Sequence, residues 1–311
     1  MISRVLPSFH FLGWTALVVG LVLQFGIKDR YPVIDLLFYA MPKPCLLALA
    51  VALLVWPRSG LKARGWAGVC AVGLGALWVH GSWRAEYPTP SLPRVEAEEV
   101  HILFWNLCRP SGLDQEMVDL MKEFQPHFAA FVEPGRMNLE EFRHTYEGLL
   151  PGYQMTWMPR GILWFSRVPY RYRAQGKLES IGAFARFEVQ GLGPDFPVVV
   201  ADVYPLPFRS REGQLAEVLN HAQSRSDAIL MGDFNTPLES VWLKPFRENY
   251  THALEAAGEG FKETWPLGLP LLSLDHLWLG HDWEVVEARK VWRVPASDHA
   301  ALLVTLKRVR N

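Results

Sequence analysis

Ile229-Leu230-Met231-Gly232-Asp233-Phe234-Asn235 decides the reading of this chain. An apolar run that stops at Gly-Asp-Phe-Asn has the form of a buried strand that delivers a carboxylate and a carboxamide, two residues apart, to one face at its tip. Ser297-Asp298-His299 repeats the arrangement beside a second strand-like run, Ala300 to Leu306, and sets a metal-grade carboxylate next to an imidazole. Taken singly, a Gly-Asp is usually a turn, and an Asp-His pair is usually a capping or surface arrangement.

Working outward, the 311 residues, about half of them apolar, suffice for one large core or two modest ones. Charge is unevenly spread. Residues 1–98 hold nine Lys/Arg and five Asp/Glu, and residues 99–311 hold 22 and 27. The acidic second part argues against a tight, sequence-independent grip on nucleic acid, which needs a surplus of cations facing phosphates. It leaves a nuclease open, because divalent metal offsets part of the charge of site carboxylates. Cys108 is the only cysteine of the second part, so no disulfide forms within it.

The first part reads as membrane. Phe11 to Ile27 is apolar apart from Thr15 and Gln24, and Trp66 to Trp83 is apolar apart from His80 and Ser82; each approaches the ~20 residues that cross hydrocarbon. Val33 to Trp56 is interrupted by Pro42-Lys43-Pro44, which fits a kinked helix or a short helix from Cys45 with a re-entrant or interfacial lead-in. Three spans are expected, or two if the middle run does not cross. Gln24-Phe25-Gly26-Ile27-Lys28 offers no small-x-small cleavage site, so an uncleaved anchor is expected. Arg58, Lys62 and Arg64 between the second and third runs place that loop in the cytoplasm and, with three spans, the rest of the chain outside, although Lys28, Arg30 and Lys43 make the opposite loop basic too. A multi-pass cell-membrane protein with an extracytoplasmic second part is the expectation.

Tyr87-Pro88-Thr89-Pro90-Ser91-Leu92-Pro93 marks an extended boundary, which divides the chain into an anchor over 1–83, a linker over 84–98 and a domain over 99–311. Beyond the boundary, strand-like runs at Val100–Trp105, Phe128–Val132, Gly161–Phe165, Ala183–Val189, Val198–Val203, Ala228–Met231, Leu271–Leu279 and Ala300–Leu306 alternate with helical spacing near 113–124, 138–149 and 211–223. Polar residues keep falling at strand ends. Many strands with intervening helices and no βαβ regularity imply an α+β class, two packed sheets with helices outside.

Trp105-Asn106, Phe131-Val132-Glu133, Gly232-Asp233-Phe234-Asn235, Leu274-Asp275-His276 and Ser297-Asp298-His299, in that order and with Thr264-Trp265-Pro266 ahead of the fourth, resemble the endonuclease/exonuclease/phosphatase superfamily. The resemblance covers residues 99–308. It implies a four-layer α/β/β/α sandwich of two mixed sheets flanked by helices, here preceded by transmembrane helices, and metal-assisted hydrolysis of phosphoester bonds. An anchor followed by such a domain is also similar in architecture to membrane-bound bacterial members, the VanJ-like proteins among them.

The resemblance implies roles residue by residue. Glu133 is the prime Mg²⁺ ligand, with Asn106 and Asp298 completing or supporting the shell, and Mn²⁺ is an alternative ion. Asp233 is the base, and Asn235 helps it orient water and phosphate. His299 stabilises charge developing on phosphate oxygens, and Asp275 bonds that histidine and holds its tautomer. Two positions depart from the pattern. Tyr204 stands where many members have a histidine, so a phenol would donate to the phosphate there, and Cys108 stands where some relatives have an acidic ligand. His276 reads as structural, Trp105, Trp265 and Trp278 as packing residues, and Arg209 and Arg211 as a solvated helix start. A membrane-anchored phosphoesterase is the leading expectation, acting on a lipid head group or lipid-linked phosphate rather than nucleic acid, with membrane lipid as partner and no protein partner inferable. A binding or sensor module that retains the fold and an endonuclease acting on DNA are the alternatives.

Overall fold

The strand ends set up the architecture, and the computed structural model describes residues 2–57, 59–84, 99–111, 115–135, 139–205 and 209–309. In chain order the elements are helices α1 (Ile2–Val22, continued by a π turn to Ile27), α2 (Ile34–Ala40), α3 (Lys43–Leu54) and α4 (Leu61–Ser82), then strands β1 (Trp83–Arg84) and β2 (Val100–Asn106). There follow α5 (Gln115–Phe124), β3 (Phe128–Val132), α6 (Leu139–Leu149), β4 (Gln154–Met158), β5 (Ile162–Ser166), β6 (Tyr170–Leu178), β7 (Gly182–Val189), β8 (Phe196–Asp202) and α7 (Glu212–Ala222). The chain closes with β9 (Ile229–Asp233), α8 (Lys244–Asn249), β10 (Thr251–His252), α9 (Ala253–Ala257), β11 (Gly260–Phe261), β12 (Asp275–Leu279), β13 (Trp283–Val291) and β14 (Ala301–Arg308).

Two six-stranded sheets face each other, ordered β13-β14-β2-β3-β5-β4 and β10-β12-β9-β8-β7-β6. Each contains one parallel pair, β2 with β3 and β8 with β9, and is otherwise antiparallel. Strand alternation sorts the side chains into layers. Ile102, Phe104, Val200 and Met231 point between the sheets, Leu103 and Trp105 pack with Met117 and Met121 of α5, and Leu230 and Phe234 pack with Val218 of α7 and Phe246 of α8. Strands buried on both faces read as continuous apolar runs, which is why β2, β3 and β9 are visible in sequence. The result is the expected four-layer α/β/β/α sandwich.

The N-terminal helices pack on one another through Leu17, Leu46, Ala50, Leu53, Ala67 and Leu74. Gly13 lies against Leu53 and Gly20 against Leu46, so α1 and α3 run antiparallel, and Gly68 and Gly75 against Leu54 and Leu47 orient α4 the same way against α3. At Gly20 a Cβ would stand 2.3 Å from Leu46 Cδ2, so the Leu46 side chain packs directly on the α1 backbone there. The outward surface of these helices is apolar: Phe11 is 70% exposed, Trp66 67% and Val72 75%. Among the described residues one helical stretch, Phe9–Ile27, is long and apolar enough to cross a membrane alone; α2 and α3 qualify only together, as a pair bent by 68°. The bend falls at Met41-Pro42, with α3 starting at Lys43 and Pro44 in its first turn. The Pro-rich linker lies outside the described residues, apart from Arg84.

Helix α2 is docked on the sandwich. Asp35 pairs with Arg211 at 3.3 Å, both side chains buried, and the Arg211 guanidinium lies 4.2 Å from the Tyr39 ring centroid. Arg211 is therefore no solvated helix start: the carboxylate and ring of α2 cover it, a contact invisible without the tertiary fold. Asp29 accepts from Tyr39, Ser240 and the Val241 amide, while its carbonyl accepts from Trp242 Nε1 at 3.0 Å. At the end of α4, Trp78 donates to Glu263 at 2.9 Å and stacks on Phe261, and β1 pairs with β11.

Candidate active site

Asn106, Asp202 and Asp233 are the final residues of β2, β8 and β9, Glu133 follows β3 directly, and Asp275 opens β12, so all five lie at one rim of the two sheets. In register, Asp233 sits between Asp202 on one side and Asp275 on the other. Three carboxylates thus stand in one row across adjacent strands. Ligand atoms of Asp233, Asp275 and His299 lie within 4.8 Å of one another.

Hydrogen bonds fix most of the set. Asn106 Nδ2 donates to Asp233 Oδ2 at 2.9 Å and its Oδ1 accepts the Cys108 amide, which ties the two sheets together. Asp233 Oδ1 accepts the Asn235 amide at 2.8 Å, and Asn235 Nδ2 donates to the Val203 carbonyl. His299 Nδ1 donates to Asp275 Oδ2 at 2.8 Å, leaving Nε2 to face outward, 3.9 Å from Asp298 Oδ1. Ser297 Oγ donates to the Asn106 carbonyl and accepts the His299 amide, so the Ser-Asp-His triplet is held against the end of β2. Thr264 Oγ1 accepts the Leu274 and Asp275 amides, and Trp265 Nε1 donates to Asp298 Oδ2 at 2.9 Å. Trp265 is thus more than packing, and Trp105, though fully buried, donates to the His299 carbonyl. Cys108, Arg109, Glu133 and Asn235 all have positive φ, between 46° and 54°, a sparsely populated conformation for such residues that clusters at functional sites.

Burial and mutual repulsion set the protonation. Burial raises Glu133 against the pull of the Arg109 guanidinium, whose Nη2 pairs with Glu133 Oε1. Burial and then the Glu133 charge push Asp202 up to about 7, and burial and then Asp275 hold Asp233 well above the usual carboxylate range. Burial opposes the His299 imidazolium, yet Asp275, Asp233 and Asp298 carry it up to about 10, so it stays charged at neutral pH. Burial likewise opposes ionised Asp298, but the Cys108 thiol, the Trp265 indole and His299 hold it low. Burial and the neighbouring Asp298 raise the Cys108 thiol to about 11, which keeps it protonated. Asp275 Oδ1 and Asp298 Oδ1 are buried and have no hydrogen-bond partner among the described residues. Uncompensated buried carboxylate oxygens with hard donor chemistry fit a divalent cation.

Of the eight site residues read from sequence, the structure brings seven into this neighbourhood and leaves Tyr204 at its margin, a residue 48% exposed whose backbone bonds Gln214. Asp202 and Arg109 went unread. Asp202 ends an apolar run as Asp233 does, but Tyr204 two residues later drew the functional reading. His276 is structural: its Nε2 donates to the Thr236 carbonyl at 2.7 Å and its Nδ1 meets His252 Nε2 at 3.1 Å.

The buried histidine pair carries a stability prediction. Burial lowers His276 to about 4 and holds His252 well below its ordinary value, so the unfolded chain takes up protons near pH 6.5 that the folded chain refuses. Stability from His276, up to about 3 kcal/mol, is complete above pH 6.5 and is lost as pH falls toward 4. His276→Gln, which can still donate to Thr236, should flatten the dependence of Tm on pH in that window; an equally steep dependence would assign the acid lability elsewhere.

Comparison with known proteins agrees with the geometry. Crystal structures of endonuclease/exonuclease/phosphatase family proteins from Bacteroides thetaiotaomicron (15% identity, TM-score 0.52, covering 68% of this chain and 98% of that one) and Bacteroides vulgatus (16%, 0.54, 68% and 99%) share the fold. So does D. rerio TDP2 complexed with a single-strand DNA product (12%, 0.52, 68% and 99%). No curated protein shows significant similarity to the chain. Residues 103–299 match the model of the endonuclease/exonuclease/phosphatase family, and the chain belongs to that family.

Proposed function

We propose that this chain is a membrane-anchored, divalent-metal-dependent phosphoesterase that hydrolyses a lipid head group or lipid-linked phosphate. The observation that carries the reading is the row Asp202, Asp233, Asp275 beside a charged His299: buried carboxylates repel one another here, against stability, at the one place where a hydrolytic site needs a base. Glu133, Asp298 and Asn106 would hold the cation, Mg²⁺ or Mn²⁺. When bound, that ion supplies charge neutralisation at the phosphate.

The chain's own residues do the rest. A raised pKa makes Asp233 a stronger base than an ordinary carboxylate, suited to taking the proton of an attacking water. Asn235, fixed by its bond to Val203, keeps its amide oxygen for orienting that water or the phosphate. His299 offers Nε2–H to the charge that grows on the phosphate oxygens, and Asp275 holds its ring from behind. Tyr204, exposed at the margin, is a donor available to substrate rather than part of the buried machinery.

The apolar exposed flanks of the helical bundle support an anchor; three passes with the sandwich outside the cytoplasm rest on the loop charges read from the sequence. A reporter fused after residue 311 that works in the cytoplasm would overturn that orientation. For the chemistry, full-length protein in detergent should hydrolyse phospholipid or lipid-pyrophosphate only with Mg²⁺ or Mn²⁺, and a hundredfold excess of metal over its Kd should stabilise it by about 2.7 kcal/mol. Glu133→Gln should abolish both effects. Cleavage of DNA in preference to lipids would move the assignment to the nuclease reading, for which the D. rerio neighbour with its DNA product is the precedent. The Arg109–Glu133 pair favours a second reading, a binding module in which a guanidinium takes the cation's place, and absence of metal binding would select it.

A further inference from the structure

The catalytic rim leaves unused a concentration of positive charge near the helices. A cavity of about 510 Å³ opens between the helical bundle and the sandwich, lined by Lys28, Arg30, Lys43, Lys244, Arg247 and Lys262 against Glu239, Glu255 and Glu263. None of the catalytic carboxylates, nor His299, lines it. It is joined to the catalytic rim by two short segments, Phe234 to Val241 after β9 and Ser273 before Asp275.

The charges in the cavity do not cancel. Lys43 is matched by Glu239, and Arg247 and Lys262 share Glu255. Among the described residues Lys28 reaches the Glu239 carbonyl and no carboxylate, Lys244 reaches Glu248 outside the cavity, and Arg30 has no ion pair. Trp78 satisfies one oxygen of Glu263. Six cations over three anions leave a site whose chemistry calls for a polyanion of phosphate type.

Position narrows the source. Because α1 and α4 run antiparallel to α3, the C-terminal ends of α1 and α4 and the N-terminal end of α3 meet at this cavity, through Lys28, Lys43, Gly81 and Ser82. Exposed Val22, Phe25, Leu37 and Val79 carry the apolar flank of the helices up toward its rim. A cationic recess at the end of an apolar flank lies where headgroup phosphates lie if the helices stand in a bilayer, with apolar surface at hand for acyl chains.

We infer that this cavity binds the phosphate of an anionic lipid headgroup, at a site separate from the catalytic one. The inference rests on the membrane reading above. Its test is calorimetry on the full chain in neutral detergent with chelator, so that no hydrolysis intervenes, using dihexanoyl phosphatidic acid, dihexanoyl phosphatidylcholine and inorganic phosphate as probes. Phosphatidic acid should bind more tightly than either other probe, and Arg30→Gln/Lys244→Gln, two exposed side chains whose loss spares the fold, should weaken it by about tenfold or more. Glu133→Gln should leave this binding unchanged. Equal binding of phosphatidylcholine, or unaltered affinity in the double variant, would overturn the site, and inorganic phosphate binding as tightly as phosphatidic acid would overturn the lipid as its source. Release of the chain from membranes by alkaline carbonate would sink the anchor on its own, and loss of hydrolysis with headgroup binding intact would sink only the enzymatic reading.

Discussion

Asp233→Asn should lower kcat by about 10³-fold while leaving the fold in place. The substitution removes a proton acceptor and keeps the shape, and asparagine can still accept one of the two bonds that Asp233 takes from Asn106 and the Asn235 amide. It also removes one charge from the middle of the row Asp202, Asp233, Asp275. A carboxyl whose folded pKa lies above its unfolded value weakens the fold as pH rises through the interval between them, because the unfolded state ionises first. Neutral asparagine escapes that penalty, so the metal-free variant should unfold at a temperature no lower than that of the parent. Loss of turnover with stability maintained identifies a functional carboxylate rather than a structural one. Turnover within tenfold of the parent would remove Asp233 from the base's role.

Gly232→Ala has the largest expected effect on stability. A Cβ at Gly232 would stand 2.0 Å from the Ala201 carbonyl oxygen and 2.8 Å from its carbon, both backbone atoms of the neighbouring parallel strand. No rotamer change relieves a clash with backbone, so β9 must move away from β8 and carry Asp233 with it. Overpacking of this kind costs about 3 kcal/mol, which lowers Tm by about 6–12 °C in a domain of this size. Gly280→Ala provides the control. It sets a Cβ 2.1 Å from the Ser226 carbonyl just beyond the far end of β12, away from Asp275. Both variants should lose stability, but only Gly232→Ala should lose activity at a temperature where each is folded. Equal activity in the two would separate the β8–β9 approach from the chemistry.

What could be read in the sequence follows from where each strand lies. β2, β3, β5, β8 and β9 are interior strands, buried on both faces, and the apolar runs of all but β5 end in the polar residues that make the site. The strands longer than two residues that the sequence pattern leaves out, β4, β6 and β13, are sheet edges, and β6 and β13 carry charged side chains on an exposed face that read as loop or surface. The Leu271–Leu279 run proved to be a strand only from Asp275, because Leu272 bridges back to Trp265 first. Glu133, Asp233 and His299 were legible because local pattern and motif agree there. The alignment of Asp202 with Asp233 was not, since register between β8 and β9 is set across the whole of α7 and its connections. Nor could Arg211 be matched to Asp35, 176 positions away.

That distant match bears on how the proposed site would meet its substrate. With Asp29 and Asp35 of the helical part held by Ser240, Trp242 and Arg211 of the sandwich, and with Trp83 and Phe261 in register, the site is not carried on a free tether that samples all headings. Its heading relative to the helices is settled once, during folding, and the rotational entropy of aiming is not lost again at every encounter. With the helices in a membrane, as proposed, a substrate confined to the same plane would meet the site by sideways drift, in two dimensions, with its approach direction already chosen.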